Sequence, residues 1–276
     1  MSSEQGPRVL ASSQDGVVHV RLNRPDKKNA LDQGMFEGLV ATARGLKEDR
    51  SVRAVVLSGE GDCFCSGLDF STFGEMASGG LDAGADSVID AARDLSSDGA
   101  HRGQQIAWLW QEIPVPVIAA VQGAAYGGGF HIALGADIRI VAPDARIAFV
   151  EITWGLVPDL SGTQALRRLV PLDVAKKLIF TGEVISGEQA VALNLGTELS
   201  DRPVEAALEL ARAIARRSPD AVRAAKWLLN RSGLVPVSEG LANEFRCSAR
   251  LMGGANQIEA VAAKLQKREP RFADPD

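Results

Sequence analysis

Val121-Gln122-Gly123-Ala124-Ala125-Tyr126-Gly127-Gly128-Gly129-Phe130-His131 decides how this chain is read. The apolar run Pro116 to Val121 leads into it, and Ile132-Ala133-Leu134 follows at helical spacing. The order is strand, glycine turn, helix. Three successive glycines let the backbone approach a ligand closely. They also leave N–H groups free at the start of a helix, where negative charge is stabilised. The glycines stand at 123, 127, 128 and 129, which is not the G-x-G-x-x-G spacing of a dinucleotide fingerprint. Taken alone, the segment serves equally well as a tight packing turn.

Three other segments remove that ambiguity. Arg53-Ala54-Val55-Val56-Leu57-Ser58-Gly59 reads as a buried strand with a turn, followed by Cys63-Phe64-Cys65-Ser66-Gly67-Leu68-Asp69-Phe70. Downstream stands Phe149-Val150-Glu151-Ile152-Thr153-Trp154-Gly155-Leu156-Val157-Pro158-Asp159-Leu160-Ser161-Gly162-Thr163, and near the start Leu22-Asn23-Arg24-Pro25-Asp26-Lys27-Lys28-Asn29-Ala30-Leu31. In this order the four segments resemble the crotonase family, the enoyl-CoA hydratases and isomerases. The resemblance runs from Val17 to Phe272. It implies an α/β fold, a crotonase-like spiral of ββα units followed by a helical oligomerisation region. It also implies an acyl-CoA thioester substrate and assembly into homotrimers, often paired as hexamers.

Length and composition suit one large domain or a core with an appendage. The chain has 276 residues, 46% of them apolar, enough for a sizeable core. A net charge of −5 gives no general pull toward nucleic acid or an anionic membrane. No apolar run reaches membrane-spanning length and the start lacks a signal-peptide pattern, so a cytoplasmic protein is expected. The three cysteines, Cys63, Cys65 and Cys247, are an odd number, and no histidine sits near the close pair. Neither a disulfide framework nor a zinc site is expected, only small residues packed around a turn.

The pattern changes along the chain. Val18, Val20 and Leu22 alternate on one face of a strand, which puts His19 on the other, solvated face. Met35 to Leu46 has helical spacing. Residues 71–104, rich in glycine, alanine, serine and aspartate, read as a loop or loose helix, ending at a surface His101. Trp108 and Trp110 then open an apolar stretch suited to the core. From Pro203 onward the periodicity is helical, with Ser218-Pro219 as an N-cap and first helical residue. Residues 1–202 are therefore expected as the core and residues 203–276 as the helical region.

The resemblance also assigns roles. Removing a proton beside a thioester carbonyl places negative charge on its oxygen, and preorganised N–H donors lower that barrier. The matching donors are the N–H groups of Leu68, in Gly67-Leu68-Asp69, and of Gly128. Family hydratases hold and activate a water with two glutamates. The second position is Glu151; the first is occupied by His131. A neutral histidine orients water, whereas a protonated one pairs with a carboxylate and quenches it as a base. Asp159 is an added carboxylate, eight residues after Glu151, where ordinary hydratases usually carry glycine. It resembles the family's dienoyl-CoA isomerases, in which a glutamate and this aspartate flank the substrate, although those enzymes carry an aspartate at the position of His131. Lys27 and Lys28, with Lys267 and Phe272 near the C-terminus, match the family's CoA-contacting segments. No cofactor is implied beyond the CoA of the substrate, and no metal.

Double-bond isomerisation by Glu151 and Asp159 is thus the first expectation. Hydration of a 2-enoyl-CoA, as in fatty-acid oxidation, is the second. A CoA-binding assembly protein without activity is the alternative that His131 favours and the two carboxylates oppose. A serine hydrolase lacks its G-x-S-x-G elbow here.

Overall fold

A computed structural model describes residues 6–69 and 94–275. The strands are β1 (Val9–Gln14), β2 (Val17–Leu22), β3 (Ala54–Gly59), β4 (Val117–Val121), β5 (Ala124–Tyr126), β6 (Ile138–Val141), β7 (Arg146–Ala148), β8 (Ile185–Ser186) and β9 (Glu198–Leu199). The described helices are α1 (Gln33–Glu48), α2 (Arg102–Glu112), α3 (Gly128–Gly135), α4 (Gly162–Leu166), α5 (Leu172–Thr181), α6 (Gly187–Ala192), α7 (Pro203–Ala215), α8 (Pro219–Arg231), α9 (Val237–Leu251) and α10 (Ala255–Leu265). The part of the expected 71–104 loop that covers 71–93 lies outside the described residues.

Six strands form one sheet in the order β1-β2-β3-β4-β6-β9, and β5-β7-β8 form a second. From β2 to β9 the large sheet is parallel. Aliphatic residues dominate β3 and β4, both buried throughout, as expected of a parallel sheet covered on both faces. Each of β4 and β6 runs on into a short strand of the second sheet, β5 and β7, which gives the ββα winding. The C-terminal ends of β3, β4 and β6 therefore face one side. In open parallel sheets, ligands bind at those ends. The segments that leave them carry Leu68, Gly128 and Glu151 respectively.

One face of the large sheet packs on the main core, with Trp110, Phe64 and Phe130. The other packs on α7 through Ala207 and Ala211, set against Val17, Ala54, Val56, Ile118 and Ile140. Two expectations change as a result. His19 is not solvated: α7 covers that face, and His19 is half-buried with Nε2 2.8 Å from Ser58 Oγ. Burial and the neighbouring Arg21 hold its pKa below the usual histidine value. The packing unit also runs past residue 202, because α7 closes the sheet. Beyond it, α8, α9 and α10 are all helical. Among the described residues no helix is long and apolar enough to cross a membrane.

A buried cation fastens α8 to the core. Lys226 Nζ donates to the carbonyls of Trp110 and Val115, both at 3.0 Å, and pairs with Asp137 Oδ2 at 2.7 Å. Burial lowers its pKa, opposed by Asp137. Removing one partner of a buried pair leaves the other uncompensated, at a cost of about 3–5 kcal/mol. Lys226→Met is therefore expected to lower the urea midpoint by a shift equivalent to about 3 kcal/mol or more, read by circular dichroism. The solvated Lys27→Met serves as the neutral control.

Candidate active site

Two loops meet where β3 and β4 end, and backbone hydrogen bonds join them. Cys65 N–H donates to Ala124 O (3.0 Å), and Tyr126 N–H donates to Cys65 O (3.1 Å). The N-terminal loop adds a third side. Ser66 N–H donates to Lys28 O (3.0 Å), Leu31 N–H to Gly67 O (2.8 Å), and Asp69 N–H to Leu31 O (3.1 Å). The N–H of Leu68, between these, donates to no acceptor among the described residues. Gly128 is the first residue of α3, so its N–H has no helical acceptor either. Leu31 links the two: its backbone pairs with Leu68, and its Cδ1 lies where a Cβ on Gly128 would come within 2.8 Å.

Asn29 locks this junction. It is fully buried at a φ of 55°, a left-handed conformation that asparagine tolerates. Its side chain donates to Glu60 O (3.0 Å) and Cys63 O (2.7 Å) and accepts from Arg24 N–H (2.8 Å). Arg24 in turn bonds Asp69, the residue after Leu68.

His131 and Glu151 come together beside this junction. His131 is fully buried, Glu151 is 13% exposed, and His131 Nε2 lies 3.2 Å from Glu151 Oε1. The approach is close yet not aligned as a hydrogen bond. Both ring nitrogens and Glu151 Oε2 are buried without a hydrogen-bond partner. Leaving a polar atom buried and unpaired costs about 1–3 kcal/mol. Such a cluster suits a site that a polar ligand atom completes. Phe149 meets the His131 ring edge-on, with ring centroids 5.5 Å apart.

Asp159 sits elsewhere. It is exposed and lines a groove of about 1520 Å³, together with His101, Trp108, Gln164 and Lys226, which neither His131 nor Glu151 lines. Its neighbour Leu160 points inward, toward Gly128. The helix cap at α4 is Ser161, so Asp159 does not serve as one. His101, expected as a surface residue, caps α2 and forms part of the groove wall; of the two tryptophans, Trp110 is core and Trp108 lines the groove.

Lys27 and Lys28 are exposed; their carbonyls, rather than their ammonium groups, hold the Ser66 turn. Lys267 is exposed and Phe272 half-buried. The tail that follows them binds Arg53 through Ala273 O and Asp274. Arg53 precedes β3, whose far end is roughly 20 Å away at the usual strand rise. Within one chain, therefore, the tail does not reach the lysines. All three cysteines are free. Burial pushes the Cys65 thiol up to about 12, which makes it inert packing. Among the described residues no cluster has the makings of a metal site.

The sequence reading passed over Asn29, Arg24 and Gly162. Asn29 follows two lysines in a turn, where asparagine signals a positive φ. Arg24 and Gly162 carry no such local sign, because their partners are 45 and 31 positions away.

The enoyl-CoA hydratase/isomerase family model matches residues 12–275. The chain is 34% identical to human enoyl-CoA hydratase domain-containing protein 2, mitochondrial, over 98% of this chain and 90% of that one. It is also 34% identical to the 2,3-dehydroadipyl-CoA hydratase of Escherichia coli K12, over 96% of this chain and 98% of that one. A crystal structure of an enoyl-CoA hydratase from Bacillus anthracis superposes with a TM-score of 0.85 at 29% identity, over 97% of this chain and 100% of that one.

Adjacent glycines of the turn differ in what they tolerate. A Cβ on Gly129 would collide with the Cys65 carbonyl, part of the fixed backbone junction. A Cβ on Gly128 would meet only the ends of Leu31 and Leu160, at 2.8 and 3.0 Å, and leucine tips can move. Gly129→Ala is expected to destabilise by about 3 kcal/mol or more, and Gly128→Ala by less than half of that. Thermal denaturation of the two variants compares them directly.

Proposed function

The chain belongs to the enoyl-CoA hydratase/isomerase family, and we propose that it hydrates a 2-enoyl-CoA. The thioester oxygen lies between the N–H groups of Leu68 and Gly128, and a water is held by His131 and Glu151. The observation that carries this reading is the buried, unpartnered His131 Nε2 beside Glu151, whose Oε2 is unpartnered as well, where one water would find two partners. Water oxygen bonds to Cβ of the substrate while Glu151 carboxylate takes one of its protons. The electron pair of the Cα=Cβ bond moves to the thioester as an enolate, stabilised by the two N–H donors. The enolate then collapses and Cα takes the proton back from Glu151, so that the elements of one water are added. His131 fixes the water for attack. It stands where the family's other glutamate does, so a single carboxylate both accepts and returns the proton.

Isomerisation is the second reading. Its support is that Glu151 is the one carboxylate among the described residues in contact with His131, and one carboxylate suffices to move a proton between two ends of an allylic enolate. Asp159, exposed in the groove, would act only if the substrate chain extended there. The two lysines and the Lys267–Phe272 tail are read as CoA contacts from opposite ends of the chain, the tail serving a neighbouring copy. Val237, Leu241 and Phe245, exposed at helical spacing along α9, support assembly into a trimer or hexamer. Sedimentation equilibrium is expected to give three or six copies; a monomer at micromolar concentration would overturn the assembly.

Glu151→Gln is expected to retain fold and CoA binding and to lose about a hundredfold or more in kcat. Crotonyl-CoA hydration, followed by loss of the enoyl absorbance, reads this. Asp159→Asn is expected to leave hydration intact. If crotonyl-CoA is inert while a dienoyl-CoA is isomerised, and Asp159→Asn abolishes that, the isomerase reading replaces hydration.

A further inference from the structure

Gly162 opens α4 directly against His131. A Cβ built on it would lie 2.9 Å from Cδ2, 2.9 Å from Nε2 and 3.0 Å from Cε1 of the His131 ring. Three nearly equal distances place that carbon over the face of the imidazole, not along the line in which Nε2 would bond a partner. Phe149 closes the ring from another side with its edge, and the ring has no exposed surface through which to retreat. The space left by the missing side chain at 162 is therefore what allows the ring to stand with Nε2 3.2 Å from Glu151 Oε1. A comparable constraint holds Glu151: a Cβ on Gly127 would come within 3.1 Å of Glu151 Oε1.

We propose that Gly162 is a positioning residue: its bare α-carbon seats the His131 imidazole and so sets the distance and angle between His131 and Glu151. Gly162 does not need its flexibility for this. Its φ is not in the left-handed region, and alanine is the better helix former at this place. What alanine adds is a methyl group against the ring. The ring must tilt, because the other side of the contact is the α4 backbone. The role rests on the reading in which His131 and Glu151 act on water together, and it extends that reading to a residue that touches neither water nor substrate.

The test is a double-mutant cycle on the full-length protein with crotonyl-CoA, using Gly162→Ala, His131→Ala and both together. Each protein is also labelled at histidine ¹³Cε1. The chain has three histidines, so His131 is assigned by its loss in His131→Ala. Gly162→Ala is expected to lower kcat by about ten- to a hundredfold with KM unchanged, as a misplaced catalytic group does. It is expected to shift the His131 signal while those of His19 and His101 stay in place. In the His131→Ala background the same alanine is expected to change kcat by less than about twofold, since the ring it displaces is gone. If Gly162→Ala alone does not fold, the double variant is expected to fold, because the ring's space accepts the methyl. Independent losses from the two substitutions, an unmoved His131 signal, or an unfolded double variant would overturn the proposal. A wild-type protein that hydrates no 2-enoyl-CoA while Gly162→Ala still shifts the His131 signal would remove the hydratase reading and keep the ring's seat.

Discussion

Close backbone contact between the loops after β3 and β4 is the constraint on which the rest of the site depends. Cys65, which lies in no regular strand, forms an isolated parallel bridge with Ala125, the middle residue of β5. Such contact leaves no room for a Cβ at several points. Side chains at Gly59 or Gly123 would strike the carbonyls of Cys63 and Asp62. Glycine at these positions is therefore a packing requirement as much as a conformational one. Once the loops are joined, the N–H groups of Leu68 and Gly128 stand at the junction without an acceptor among the described residues.

The same junction explains why a fully buried histidine is tolerated beside a carboxylate. α3 is buried along its whole length, and the His131 ring with it. Its cost is carried by a large apolar core in which the Phe130 and Phe149 rings meet at a 60° tilt, 4.9 Å between centroids. A core of that size can hold a few unsatisfied polar atoms; of the six buried unpartnered side-chain atoms among the described residues, three are at the point where chemistry is proposed and the others are on Arg21, Arg53 and Arg223. A strained or unsatisfied group spread across the surface would have no such meaning; here three atoms of two residues converge.

The C-terminal helices follow a different logic. Lys226, Asn230 and Arg223 of α8 all donate to core carbonyls, so α8 is fixed by polar contacts rather than by burial of its apolar side chains. α9 buries only Asn243. Helices with exposed Leu241, Phe245 and Leu265 are expected to gain their remaining stability from other chains. The groove between these helices and the core is bordered by charge of both signs, unlike the apolar, polar-atom-poor setting of His131.

Periodicity and glycine placement were enough for several long elements. Val17 to Leu22, the strand before Gly123 and the helix opened by Ser218-Pro219 follow from local chemistry: alternation, an N-cap and a fixed φ angle. The four motifs, in order, carried the family and the pairing of Glu151 with His131's position. Tertiary structure alone decided which side of each residue faces what. His19 proved half-buried because α7, almost two hundred residues later, covers its face. Asp159 and Glu151 are only eight residues apart, yet Asp159 lines the groove while Glu151 lies at the imidazole. Gly162 gained its significance the same way. Nothing in the identity of a glycine says that a histidine ring from another helix rests on it, because that contact is a property of packing in space and not of neighbours in sequence.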